Sequence, residues 1–156
     1  MDFAISRLGA EALEAALRLA LDTFLRFEAP DYGAEGVAAF RRDIIDNPQF
    51  HEDCRTGKNR LWGAFDGEKL VGLFAMRGQS HICLVFTHHA YHRKGIATAI
   101  FRTLLDDIRR ENPELTRLTL NSSPYGKPFY LRSGFRPTDA EQCKNGIVYT
   151  PMEYIL

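Results

Sequence analysis

The sequence predicts an α/β protein, in the α+β arrangement, built as one domain over residues 1–156, and three observations carry this. Apolar residues near the start recur at helical spacing, a run of apolar segments follows at strand length, and a strand–glycine–helix unit lies past the middle. The first block runs from Leu8 through Ala12, Leu13, Ala16, Leu17, Ala20 and Leu21 to Leu25 at i, i+3, i+4 and i+7, which predicts a long amphipathic helix with Ser6 placed to cap it. Pro30 and Gly33 break that pattern, and a second helix is expected from Ala34 to Asp46, stopped by Asn47-Pro48. The segment His51-Glu52-Asp53-Cys54 reads as a polar loop.

From Arg60 the periodicity changes. Leu61–Phe65 and Leu70–Met76 are apolar runs joined by Asp66-Gly67-Glu68-Lys69, a hairpin signal, and His81–Thr87 reads as a central strand rich in β-branched and aromatic residues. Gly95–Arg110 returns to helical period with Ile96, Ile100, Leu104, Leu105 and Ile108 on one face, and Asn112-Pro113 ends it. Leu118–Leu120 is a short strand, Pro124–Arg132 a helix closed by Gly134, and Ile147–Tyr149 with Met152–Tyr154 a final strand or strand pair. The expected order is β-α-α-β-β-β-α-β-α-β.

Composition narrows the class. A chain of 156 residues with 45% hydrophobic and 26% charged residues is that of an ordinary globular protein, able to bury a core without staples. The first residues lack a basic segment followed by an apolar one, and no 18-residue apolar run occurs, so a cytoplasmic protein is expected, with no membrane partner. Cys54, Cys83 and Cys143 are odd in number and without CxxC spacing, which fits reduced, structural thiols. A formal net charge of zero gives no support to a nucleic-acid partner. The charge is unevenly spread: residues 1–55 hold 11 acidic and 6 basic side chains, residues 56–156 hold 9 and 14.

The chemistry-bearing segment is Phe86-Thr87-His88-His89-Ala90-Tyr91-His92-Arg93-Lys94-Gly95-Ile96-Ala97-Thr98. A strand, a glycine turn and a helix present backbone N–H groups and a positive helix end to an anion. Gly95 and Ala97 leave room for a diphosphate to approach the backbone, and Arg93 and Lys94 add positive charge. Neither a Walker loop nor a Rossmann fingerprint occurs, which disfavours nucleotide hydrolysis. His88, His89 and His92 cluster without further ligands at metal spacing, so no metal is expected.

His92-Arg93-Lys94-Gly95-Ile96-Ala97 resembles the [Q/R]-x-x-G-x-[G/A] acetyl-CoA loop of GNAT (GCN5-related) N-acetyltransferases. Phe129-Tyr130-Leu131-Arg132-Ser133-Gly134-Phe135, after the Leu118–Ser123 strand, resembles the F-Y-x-x-x-G-F phrase that follows in that family. His92 departs from the usual Gln or Arg. The stretch from Glu141 to Glu153 is similar to the ending of a bacterial branch of the family.

The resemblance implies a three-layer αβα sandwich on a mixed, mainly antiparallel sheet, and acetyl transfer from acetyl-CoA to a primary amine in a ternary complex. It implies that Val85, Phe86 and Thr87 splay from the Leu118–Asn121 strand to admit pantetheine, with Asn121 a further partner. His92 through Thr98 would hold the diphosphate. Tyr130 is expected to protonate the departing thiolate, against the alternative of a tyrosine that only packs the short helix. His81, where several family members carry a His or Glu base, is the candidate base, against hydrogen-bonded strand-end structure, with Glu28 second. The loop between the first two helices would border the acceptor through Phe27, Glu28 and Tyr32, although aromatics at helical spacing are more often core. Acidic excess in residues 1–55 suggests a small cationic amine or a peptide amine, and dimers among look-alikes allow a homodimer. A CoA-binding sensor, or an acyltransferase with another acyl group or acceptor, stays open.

Overall fold

The structure, a computed structural model, describes residues 2–156. Eight strands form the sheet: β1 (Ala4–Leu8), β2 (Asn59–Asp66), β3 (Lys69–Arg77), β4 (His81–Thr87), β5 (Arg117–Ser122), β6 (Arg136–Pro137), β7 (Gln142–Lys144) and β8 (Ile147–Ile155). The order is β1-β2-β3-β4-β5-β8-β6, with β7 paired to β8. Every pairing is antiparallel except β4 with β5. Helices α1 (Leu13–Phe27), α2 (Ala29–Phe40) and α3 (Pro48–Thr56) precede β2; α4 (Ile96–Glu111) and α5 (Lys127–Ser133) follow β4 and β5. The expected mixed, mainly antiparallel sheet between helical layers is thus present.

Two apolar clusters fill the two sides of the sheet. Val71, Phe74, Met76 and Ile82 face Ile96, Ile100 and Leu104 of α4, while Leu73, Ala75, Leu84 and Phe86 face Ala16, Ala20 and Phe24 of α1. Strand alternation predicts such two-sided burial. The register shifts twice, between Ala64 and Phe65 against β3 and between Ala75 and Met76 against β4. At the second shift Met76 opposes Ile82 and Ala75 opposes Leu84, so Cys83 is the extra residue of a bulge. Ile82 therefore points to the α4 side, whereas Leu84 and Phe86 point to the α1 side.

Several boundaries differ from expectation. Ser6 caps no helix: it lies in β1 opposite Gly63, and Leu8 pairs with Leu61, so α1 starts only at Leu13, after a short 3-10 turn over Ala10–Ala12. The second helix begins earlier, at Ala29, kinks at Gly33 (φ 67°), and runs into a π turn over Arg41–Ile45. Asn47-Pro48 starts a helix as well as ending one. The Asn47 side chain accepts from the N–H groups of Gln49 and Phe50, Pro48 occupies the first turn, and α3 contains His51 through Cys54, the segment expected to be a loop. His51 Nε2 bonds the free carbonyl oxygen of Ile45 at 2.9 Å, which satisfies the end of the π turn. The final strand is one continuous β8.

Two contacts hold the elements that flank the site. At the tip of the β7–β8 hairpin, Gly146 (φ 79°) meets Gly36 of α2 so closely that a Cβ on Gly146 would lie 2.5 Å from the Gly36 nitrogen. Toward the C-terminal end of α4, Asp107 accepts a 2.8 Å hydrogen bond from the indole N–H of Trp62, which is wholly buried in β2. Arg7 lies 4.7 Å above the same ring and bonds Glu111, so α4 is tied to the β1–β2 edge by charge and by a buried donor. Asp107→Ala leaves that indole donor unpaired, and a loss of about 1–3 kcal/mol in urea unfolding is expected. Combining it with Trp62→Phe should recover part of that loss relative to additivity.

Candidate active site

The parallel pairing of β4 with β5 lasts for two residue pairs, His81 with Thr119 and Ile82 with Leu120, and stops at the Cys83 bulge. A bulge leaves a residue out of the ladder and bends its strand. Beyond it β4 departs from β5, and a cavity of about 700 Å³ opens there, bounded by Val85, Phe86 and Thr87 on one side and Ser123 and Tyr130 on the other.

The first turn of α4 closes one end of that cavity. Arg93 (φ 62°) and Gly95 (φ 76°) are both left-handed, so the chain turns back on itself before entering the helix. A Cβ on Gly95 would meet no atom within 4 Å, so the glycine is required by its backbone angle and leaves open space in front of the turn. No side chain caps α4 and no acid sits in its first turn. The amide groups of Gly95, Ile96, Ala97 and Thr98 are the four that a helix start leaves without helical acceptors, and these residues line the cavity. With the helix dipole behind them and Arg93, Arg102 and Arg132 on the walls, they make a receptor for a polyanion such as a diphosphate. Arg102 follows Thr98 by four residues and so shares its face of α4, a spacing visible in the sequence but not used; Arg132 stands in the short helix after Tyr130. Lys94 is exposed and does not line the cavity.

His92 has a structural tie. Its Nε2 lies 2.8 Å from the Thr87 carbonyl oxygen, which can only accept, so Nε2 carries the hydrogen and Nδ1 is left for the Tyr125 hydroxyl at 3.3 Å. Phe27 stacks against both rings, at 4.7 Å from His92 and 5.0 Å from Tyr125, and this aromatic group walls the first cavity. Phe27, expected beside an acceptor, thus stands on the diphosphate-loop side. Of its neighbours, His88 accepts from Ala90 N–H and His89 lies 3.9 Å from Asp22.

A second cavity, about 290 Å³, lies on the α1–α2 side. It shares Glu28, Val85, Phe86, Ser123 and Tyr130 with the first, so the two spaces meet there. Tyr32, Phe24 and Phe40 supply an apolar wall, with His81, Arg77 and Asn121 among its polar residues. Asn121 therefore borders the second cavity and not the first.

Electrostatics at the junction is governed by removal from water. Burial raises the Glu28 carboxyl to about 7, Asp31 adding to the rise and the Ser123 hydroxyl partly offsetting it. Burial likewise pushes the Tyr130 phenol well above its ordinary range, with Glu28 and Tyr32 acting in the same direction, so Tyr130 keeps its proton at any working pH. His81 moves the other way: burial and nearby Arg77 lower it to about 4. Its Nδ1 lies 2.9 Å from the Thr119 hydroxyl of the neighbouring strand. Burial holds the Cys83 thiol up at about 12, which argues against a thiolate nucleophile.

A splayed sheet, an open helix start and a tyrosine at the meeting of two cavities define a GNAT-type transferase domain. The family described as "Acetyltransferase (GNAT) domain" matches residues 28–156. An Escherichia coli K12 protein, "Uncharacterized N-acetyltransferase YafP", is 30% identical over 105 residues, which is 67% of this chain and 62% of that protein, somewhat under two thirds of its length. Among solved structures, a GCN5-related N-acetyltransferase from Rhodopseudomonas palustris superposes with a TM-score of 0.83 at 18% identity, covering 100% of this chain and 97% of that one. The PaiA N-acetyltransferase of Thermoplasma acidophilum, solved in complex with coenzyme A, gives 0.81 at 17% identity over 100% of both chains. The chain belongs to the GNAT acetyltransferase family.

The raised Glu28 carboxyl has a consequence for stability. Its folded value of about 7 exceeds its ordinary 4.5, so between these the folded protein binds more protons than the unfolded chain. Stability from this group is complete below about 4.5 and falls as pH rises to about 7. Glu28→Gln should flatten that decline in denaturation midpoints measured from pH 5 to pH 8.

Proposed function

We propose that the protein transfers the acetyl group of acetyl-CoA to a primary amine by direct attack, with both substrates bound at once. The observation that carries this reading is the junction of the two cavities: one leads to the anion receptor at the start of α4, the other to a small chamber with both apolar and polar walls, and Glu28 and Tyr130 stand between. In this reading the amides of Gly95 to Thr98 hold the diphosphate, and the β4 edge from Val85 to Thr87, freed from β5, bonds the pantetheine arm. The thioester then lies beside Tyr130, and the amine enters from the second cavity.

An alkylamine near neutral pH is mostly protonated and must lose a proton to attack. Glu28, with a value of about 7, is half ionised at neutrality and can take that proton, whereas His81 at about 4 is a weak base there and lies at the opposite end of β4 from the loop. We therefore assign proton removal to Glu28. As the amine nitrogen bonds the carbonyl carbon and the carbon–sulfur bond breaks, the Tyr130 hydroxyl gives its proton to the leaving thiolate. The phenol, held protonated by burial, recovers a proton from solvent afterwards. A non-catalytic CoA sensor needs neither group at the junction, and their pairing favours turnover.

Isothermal calorimetry should detect binding of coenzyme A to the wild-type protein, and absence of heat would sink the reading. Tyr130→Phe is expected to lower kcat by about a hundredfold or more while changing KM for acetyl-CoA little. Thiol release at saturating amine should rise with pH through about 7, and Glu28→Gln should lose that limb together with most of the rate. If Glu28→Gln keeps the wild-type pH profile, the base assignment is wrong.

A further inference from the structure

We propose that the acceptor is a primary amine bearing a carboxylate at its other end, and that Arg77 binds that carboxylate. This rests on the transfer reading above, which puts the amine at Glu28.

Arg77 ends β3 and His81 begins β4; the two are register partners, and both line the second cavity. Among the described residues, no carboxylate lies within ion-pair distance of Arg77. Nine other arginines, Arg7, Arg18, Arg26, Arg42, Arg55, Arg60, Arg110, Arg117 and Arg136, each hold an acid; of those that do not, Arg93, Arg102 and Arg132 line the first cavity, and Arg77 is the arginine that lines the second. Asp43, the other acid of the cavity besides Glu28, is engaged with Arg42 at 3.0 Å. Arg77 thus brings an uncompensated positive charge to the chamber, close enough to depress His81.

His81 is set up as a second donor. If its Nδ1 accepts from the Thr119 hydroxyl at 2.9 Å, Nε2 carries the hydrogen, and among the described residues Nε2 has no partner. A neutral imidazole N–H and a guanidinium together suit a carboxylate and offer nothing to a second ammonium group.

Distance fixes the shape of the molecule. Val85 borders the junction, and His81 precedes it by four strand residues, about 13 Å along β4. The long Arg77 side chain shortens that gap, so an acceptor must be elongated, with its amine and its carboxylate several carbons apart. A chamber of about 290 Å³ walled by Phe24, Tyr32 and Phe40 accommodates such an aliphatic spacer.

The test is thiol release from acetyl-CoA with three acceptors of one length: ε-aminocaproate, hexylamine and hexamethylenediamine. Wild-type kcat/KM should favour ε-aminocaproate by about tenfold to a hundredfold. Arg77→Gln should bring the three together, and Arg77→Glu should turn the preference toward the diamine, with coenzyme A calorimetry confirming that each variant is folded. A wild-type preference for hexylamine or the diamine, or a preference for ε-aminocaproate that survives Arg77→Gln, overturns the proposal and leaves the transfer reading standing. Coenzyme A binding without release from any of the three overturns the proposal as well. Absence of both release and binding removes the transfer reading beneath it.

Discussion

The single extra residue at Cys83 is the constraint from which the site follows. A strand cannot keep its ladder with one neighbour and also rotate its second half, and β4 gives up its pairing with β5 where the bulge falls. The same step swings Leu84 and Phe86 onto α1, so the apolar burial that the rotation gains compensates for the ladder hydrogen bonds that are lost. What remains is a wedge whose β4 edge carries backbone donors and acceptors with no strand beside them. Such an edge must be satisfied by water or by a ligand, and a polar, amide-containing chain of the right length satisfies it best.

The wedge alone would bind without discriminating. Its chemistry comes from α1 and α5 reaching into its apex, where Glu28 and Tyr130 share a poorly hydrated space. Glu28 raises the proton affinity of Tyr130, because a phenolate would form beside a carboxylate that has already ionised. The pair is therefore stable as neutral acid and neutral phenol, and loses its first proton from Glu28 near neutrality. In the proposed reading this one position brings the proton acceptor and the proton-bearing phenol together. The aromatic group of Phe27, His92 and Tyr125 stands on the loop side of this apex. His92, in the place where the family usually carries Gln or Arg, acts there as a ring that buttresses Thr87 through its carbonyl.

Elements set by local signals were legible in the sequence. The Asp66–Lys69 hairpin, the β4 start at His81, the α4 start after Gly95 and the α5 stop at Gly134 all stand where their turn residues indicate. The misread positions are those where a distant partner decides. Leu8 fits a helical period, but pairing with Leu61 makes it strand; Asn47-Pro48 looks like a stop, yet its side-chain cap opens α3. The Cys83 bulge has no local signature, because Ile82-Cys83-Leu84 reads as uninterrupted strand and only the register with β3 reveals the insertion. For the same reason Arg77 and Asp43 were invisible as cavity residues, while Glu28 and Tyr32 were reachable only through the family resemblance.

Charge shows the limit of reading a whole segment. The 11 acids of residues 1–55 suggest a cationic acceptor, but acidic count is not local potential. Glu14, Asp22, Asp43 and Glu52 are each paired with an arginine close by in sequence on exposed surface, and only Glu28 and Asp43 of the eleven line the second cavity. Exposed pairs of this kind are screened and contribute little field at a distance. The charges that line the chamber itself are few: Glu28 at one end, poorly hydrated and half ionised near neutrality, and at the other Arg77, exposed at its mouth and, among the described residues, without an acid beside it. In the proposed reading, selectivity for the acceptor follows from the polarity along one short axis parallel to β4, and not from the balance of charge over the helices that cover it.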